Sequence, residues 1–145
     1  SPSDFGFHNA LRDGDGRIVF VDFEYFGWDD PAKMVSDFLL HPAMTLPQVF
    51  KQRFVASILD TFGDQPSLAS RLDVVLPLFR LKWCLILLNE FLPVSLHRRE
   101  FAGNSVLPRQ QVQSQQLERA RGMLHRVQPH FPNHPDFETI AIPKP

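Results

Sequence analysis

A single cysteine, Cys84, leaves the chain unable to form an internal disulfide, which excludes a disulfide-stapled secreted scaffold and suits a reducing compartment. No apolar run reaches the ~18 to 20 residues of a membrane helix. Residues 1–9 lack the charged-then-apolar pattern of a signal peptide. Neither sign of charge dominates, with 15 Lys and Arg against 16 Asp and Glu, so no global field draws nucleic acid or an anionic membrane. A cytoplasmic protein with neither of those partners is the expectation.

What is plentiful is Phe and Pro, 14 and 13 of the 145 residues. They imply an aromatic core interrupted often by turns. The length suits one domain, and the sequence reads as mainly α with a short β-hairpin. Residues 1–30 form a loop and hairpin, 31–128 a helical subdomain, and 129–145 an irregular tail rich in Pro and His. The hairpin joins Ala10-Leu11-Arg12 to Arg17-Ile18-Val19-Phe20-Val21 across two Asp-Gly pairs, which offer the positive φ angles of its turn. Asp29 or Asp30 can cap a helix that opens on Pro31, passes through Met34, Val35, Phe38 and Leu39, and stops near His41-Pro42. Val49 to Phe62 repeats at i, i+4 and ends at Gly63. A further helix is expected over 67–75. Leu78 to Leu92 is apolar nearly all round and predicts a central, buried helix. Leu117, Ala120, Leu124 and Val127 make a stripe on a last helix otherwise rich in Gln and Arg.

The residues that point to chemistry are Asp4, Asn9 and Asp22. Phosphoryl transfer from ATP needs a carboxylate to orient and deprotonate a hydroxyl, and oxygen ligands to hold Mg²⁺ against the phosphates. Protein kinases do this with D-x-x-x-x-N in a loop and a later Asp on a hairpin strand. The same order stands here as D4-F-G-F-H-N9, then V-F-V-D22-F-E24. Taken singly, Asp4 and Asn9 could simply cap turns. Asp22, between Val21 and Phe23, is a costly place for an unpaired carboxylate.

The stretch SPSDFGFHNAL…IVFVDFEYFGWDDPAKMVSDF resembles the aminoglycoside phosphotransferase and choline kinase-like family. That family reads H-G-D-x-x-x-x-N, then I-D-[WF]-E, then a helix beginning near D-P. The resemblance is dense over residues 1–40 and architectural beyond them. It implies the helical C-terminal lobe of a protein-kinase-like fold, with Mg²⁺ and ATP as phosphoryl donor and a small-molecule hydroxyl as acceptor. It implies Asp4 as catalytic base, Asn9 and Asp22 as Mg²⁺ ligands, and Asp37 as an inward structural anchor of the loop. Pro2 stands where the family has His, and Ser3 where it has Gly. No glycine-rich phosphate loop or following lysine precedes Asp4, so the nucleotide-binding N-terminal lobe is the missing partner. The chain alone is expected to be inactive.

Other residues carry weaker signals. Glu24 could contact Mg²⁺ through water, bind a cationic substrate or pair with Lys33. Trp83 and Glu90, seven apart, would share a helix face and could receive an amine, with Trp28 and Tyr25 completing a cage; core packing for Trp83 and an ion pair for Glu90 is the plainer reading. Arg98 and Arg99 could meet phosphate, or form a surface pair. His8 lacks a second clustered ligand, which argues against zinc. His125, His130 and His134 have no ligand spacing. Cys84, among Trp83, Leu85 and Ile86, reads as a buried inert thiol. Ser3 lacks the elbow motif of a hydrolase. Two other classes compete with a kinase: a non-catalytic kinase-like binding or regulatory module, and a helical interaction domain in which Asp4, Asn9 and Asp22 do not converge.

Overall fold

The computed structural model describes residues 4–24, 26–63, 67–94 and 108–127. Pro2, Ser3, Tyr25, Arg98, Arg99, His130, His134 and the tail from Pro129 lie outside them. The described residues are mainly helical with one two-stranded hairpin. They fall into two compact units, one up to Phe79 and one from Arg80.

In the first unit, a 3-10 turn at Phe7–Asn9 leads directly into strand β1, Ala10–Arg12. β1 pairs antiparallel with β2, Ile18–Phe20, with Ala10 opposite Phe20 and Arg12 opposite Ile18. The turn between them departs from expectation. Gly16 takes a positive φ of 84°, but Gly14 does not. The Asp13 side chain supplies the rest of the turn, its Oδ1 accepting from the N–H groups of Asp15 (3.0 Å) and Arg17 (2.8 Å). Such an Asx turn needs only one left-handed residue.

Helix α1 spans Pro31–Leu40. Asp30 is its cap, Oδ1 accepting from Ala32 N–H at 2.8 Å, and Pro31 sits where no amide donor is needed. Asp29 has a different role: its carboxylate pairs with Lys33 Nζ at 2.6 Å. That hydrogen bond from Lys33 holds the Asp29 carboxyl below the usual carboxylate range. Helix α2 spans Gln48–Thr61 and ends at Phe62-Gly63, as its periodicity predicts. The core gathers Ala32, Val35, Phe38 and Leu39 of α1 with Met44, Val55, Leu68 and Leu72, and Phe5, Phe54 and Ile58 pack against it.

Asp30 also takes a two-point grip from Arg71, Nε to Oδ2 at 3.0 Å and Nη2 to Oδ1 at 3.2 Å. The pair is solvent-exposed and contributes little by itself, so the cap dominates. Asp30→Ala is expected to destabilise the fold by about 1–2 kcal/mol, read from the urea midpoint, and Arg71→Ala by less than about 1 kcal/mol.

Two expectations about the following helices fail. Residues 67–75 and 78–92 do not form separate helices: α3 runs unbroken from Leu68 to Leu88, through Pro77. Proline inside a helix removes one hydrogen bond and crowds the preceding turn, yet the helix continues on both sides. Nor is 78–92 buried all round. In the second unit Trp83, Cys84 and Leu87 are buried while Leu85, Ile86, Phe91 and Leu92 are exposed. Apolar composition alone cannot say which faces find a neighbour.

Helix α4, Arg109–His125, supplies the other half of the second unit's core with Ala120 and Met123, followed by Val127. Of the expected stripe Ala120 and Val127 are buried and Leu117 is half-buried, while Leu124 is exposed and Met123 takes an inward place beside them. Cys84 is buried, donating its Sγ–H to Ala120 O at 3.5 Å. Burial pushes the thiol up in pKa, as an inert packed cysteine requires. Among the described residues no helix is long and apolar enough to cross a membrane.

Candidate functional site

Asp4 and Asn9 meet in the loop that opens the first unit. The 3-10 turn closes with Asn9 N–H on Gly6 O at 3.0 Å. It brings the Asn9 side chain back over Asp4, where Nδ2 donates to Asp4 O at 3.1 Å and to Asp4 Oδ2 at 3.3 Å. The Asn9 Nδ2 group is thereby engaged on Asp4, and Oδ1 is the acceptor atom of that amide. Asn9 is also tied to the far strand, its carbonyl accepting from Val21 N–H at 2.9 Å. The next residue is Asp22. Hairpin register, set by Ala10 opposite Phe20, therefore delivers Asp22 to the same end of the hairpin as Asn9.

Asp4 and Asp22 share a backbone feature. Each holds a left-handed φ, 59° and 65°, and they are the two such residues other than glycine among those described. Asp tolerates this conformation better than most residues, but it remains a cost that folds keep where geometry demands it. Both side chains are exposed.

The structure adds a residue that the sequence did not single out. His41, just past the end of α1, stacks flat on His8 with ring centroids 3.8 Å apart and planes within 1°. His8 Nε2 lies 3.1 Å from Asp4 Oδ1, and His41 Nε2 lies 4.0 Å from the same oxygen. The expectation that His8 has no clustered neighbour is corrected. One signal was present: His41 falls one helical turn after Asp37, so an inward Asp37 brings His41 toward the same loop. Burial, and next the neighbouring His8, push the His41 imidazole down in pKa.

Potential ligand atoms of Asp4, His8 and His41 lie within 4.8 Å of one another, but the ring arrangement does not converge on an ion. Lone pairs lie in the imidazole plane, and two stacked parallel planes direct theirs side by side. His41 Nδ1 already accepts from Ala43 N–H at 3.2 Å, leaving the ring proton on Nε2. The hard oxygen donors of Asn9 and Asp22 are a different matter. An amide oxygen and an exposed carboxylate are the donor types Mg²⁺ prefers, a few protein oxygens with water and phosphate completing its shell.

The remaining candidates are scattered. Asp37 is turned inward, its side chain only 13% exposed, with Lys33 Nζ 4.0 Å from Oδ2. Glu24 is exposed, and Trp28 projects fully into solvent, so Trp28 forms no wall of a cage. In the second unit Trp83 is buried, with Lys82 Nζ 5.5 Å from its ring centroid. The heptad argument for Glu90 fails because α3 ends at Leu88 and Glu90 lies in a 3-10 turn, Asn89–Phe91. Its carbonyl accepts from Gln113 Nε2 at 3.2 Å. His125 is exposed. Comparison with protein-family models, with curated proteins and with solved structures found no match to this chain.

Proposed function

We propose that this chain carries the catalytic and metal-holding part of an ATP- and Mg²⁺-dependent small-molecule phosphotransferase, the helical C-terminal lobe of a protein-kinase-like fold. The observation that supports this reading most is Asn9: its side-chain Nδ2 donates to Asp4 O and Asp4 Oδ2, while its backbone carbonyl accepts from Val21, the residue before Asp22. On this reading the base and the two oxygen ligands would be gathered around one side chain.

In this mechanism the Asp4 carboxylate accepts the acceptor hydroxyl's proton as the new O–P bond forms and the bond to ADP breaks. Asn9 Oδ1 and the Asp22 carboxylate would hold the ion. Bound Mg²⁺ supplies charge neutralisation at the phosphate oxygens. Asp37 and the α1 end keep the loop seated. These 145 residues carry no glycine-rich phosphate loop followed by a lysine before Asp4, so on this reading activity is expected together with a nucleotide-binding lobe and not of this chain alone.

The metal half of the reading is testable on the chain itself. Mn²⁺, a paramagnetic stand-in for Mg²⁺, is expected to broaden the amide signals of Asn9 and Asp22 selectively. Asp22→Ala should weaken Mn²⁺ binding by about tenfold or more, the scale on which metal sites respond to altered ligation. Uniform broadening across the chain, with wild type and Asp22→Ala alike, would remove the metal site and leave a kinase-like binding module.

A further inference from the structure

Asp4 is an exposed carboxylate on a left-handed residue, with 47% of its side chain open to solvent. Rotation about the terminal torsion of an aspartate is soft, so a fixed orientation needs a donor at each oxygen. Oδ2 has Asn9 Nδ2, and Oδ1 has His8 Nε2. The His8 ring is hydrogen-bonded at one end only among the described residues, where its buried Nδ1 has no partner. The flat face of His41 lies against that ring. His41 in turn is pinned twice: Nδ1 accepts from Ala43 N–H, and its backbone N–H donates to Asp37 O at 2.9 Å across the end of α1.

We propose that His8 and His41 act together as positioning residues for Asp4: His8 holds the outer carboxylate oxygen, and His41 transmits the rigidity of α1 to His8 through the ring stack. This deepens the phosphotransferase reading and rests on it for its catalytic meaning. It also bears on the departure at Pro2, since a histidine four residues after Asp4 supplies a hydrogen bond to the carboxylate. Gly6 belongs to the same device. A Cβ there would stand 2.7 Å from His8 Nδ1 and Cε1 and from Met44 Sδ, so only glycine leaves room for the ring. The Gly6 backbone is extended at φ 172°, and the requirement is one of space, not of torsion.

Four variants test this. In the intact protein His8→Ala, His41→Ala and Gly6→Ala are each expected to lower kcat by about 10- to 100-fold, the cost of a catalytic group displaced by about 1 Å. KM for ATP should stay within about twofold, because no binding contact is removed. His8→Gln, whose amide N–H can reach Oδ1, should recover most of the lost kcat. Losses that track melting temperature, with no rescue by Gln, would overturn the positioning role in favour of plain structural support.

A second readout does not depend on turnover. In the isotope-labelled chain His8 is expected to carry its ring proton on Nε2, and His41→Ala should shift both that signal and the Asp4 side-chain carboxyl signal. If neither moves, the inference fails even where phosphotransfer is found. If both move but the intact protein transfers no phosphate to any hydroxylated acceptor, the coupling stands and the phosphotransferase reading falls. One equivalent of Zn²⁺ that binds both imidazole nitrogens would also overturn the inference, making the pair a ligand set.

Discussion

Asp4→Asn in the intact protein should lower kcat for phosphotransfer by about 10²- to 10⁴-fold, the usual contribution of a positioned general base. The substitution keeps shape and removes only charge and basicity. It also sets the new amide against Asn9, whose Nδ2 donates to Asp4 Oδ2. Either the introduced amide turns its oxygen toward Asn9, facing its NH₂ to His8, or the Asn9 contact is lost. Both outcomes disturb the orientation of the loop as well as its chemistry, so the fall should exceed that of His8→Ala. KM for ATP should change by less than about threefold, since Asp4 makes no contact that this mechanism assigns to the nucleotide. The measurement is ADP release with Mg-ATP and a panel of amino alcohols and amino sugars. An Asp4→Asn protein that retains wild-type kcat would remove Asp4 as the base, and with it the proposed mechanism.

How far this site was legible depended on distance along the chain. Asp4 and Asn9 are five residues apart, and the loop between them is spelled by Gly6 and the short turn at Phe7–Asn9. Asp22 was legible because an Asp-Gly turn points to a hairpin, and its register puts residue 21 opposite residue 9, with Asp22 the next along the chain. Asp30 and Pro31 announced α1 for the same local reasons. The residues that escaped are those whose role is decided by a remote neighbour. His41 lies far along the chain from His8, on the other side of the hairpin and α1, and no local pattern pairs them. Leu85 and Leu124 look like core residues and are exposed, while Met123 is buried, because burial on a helix is set by the element packed against it. Pro77 reads as a break by its own chemistry, yet α3 continues through it. Gly14 shows the converse. Its sequence context fits a left-handed turn, but the Asp13 side chain had already met the turn's hydrogen-bonding need.

The largest loss of stability in the first unit is expected from Phe38→Ala. Phe38 is buried on α1, with ring centroids of Phe54 at 4.2 Å, Phe5 at 5.5 Å and Phe7 at 6.3 Å. Removing a buried phenyl ring costs about 3–5 kcal/mol through lost burial and the cavity left behind. A domain has only about 5–15 kcal/mol to lose, so the urea midpoint should fall by about a fifth or more. Phe50→Ala is the matched control: Phe50 lies on the exposed face of α2 and should cost no more than about 0.5 kcal/mol. The position of Phe38 makes the consequence more than general. Phe5 and Phe7 flank Gly6 in the loop between Asp4 and Asn9, and both rest against Phe38 and against Phe20 at the end of β2. A cavity at Phe38 lets those two rings settle inward, and the loop they carry moves with them. The left-handed φ at Asp4 is then no longer enforced from below, and relaxing it releases strain. At low urea, where the variant remains folded, the Asp4 and Asn9 amides should exchange hydrogen faster than in wild type, while those of α2 keep their protection. Equal exchange in the two proteins, with the stability loss intact, would show that the loop is held by its own hydrogen bonds and not by the aromatic platform beneath it.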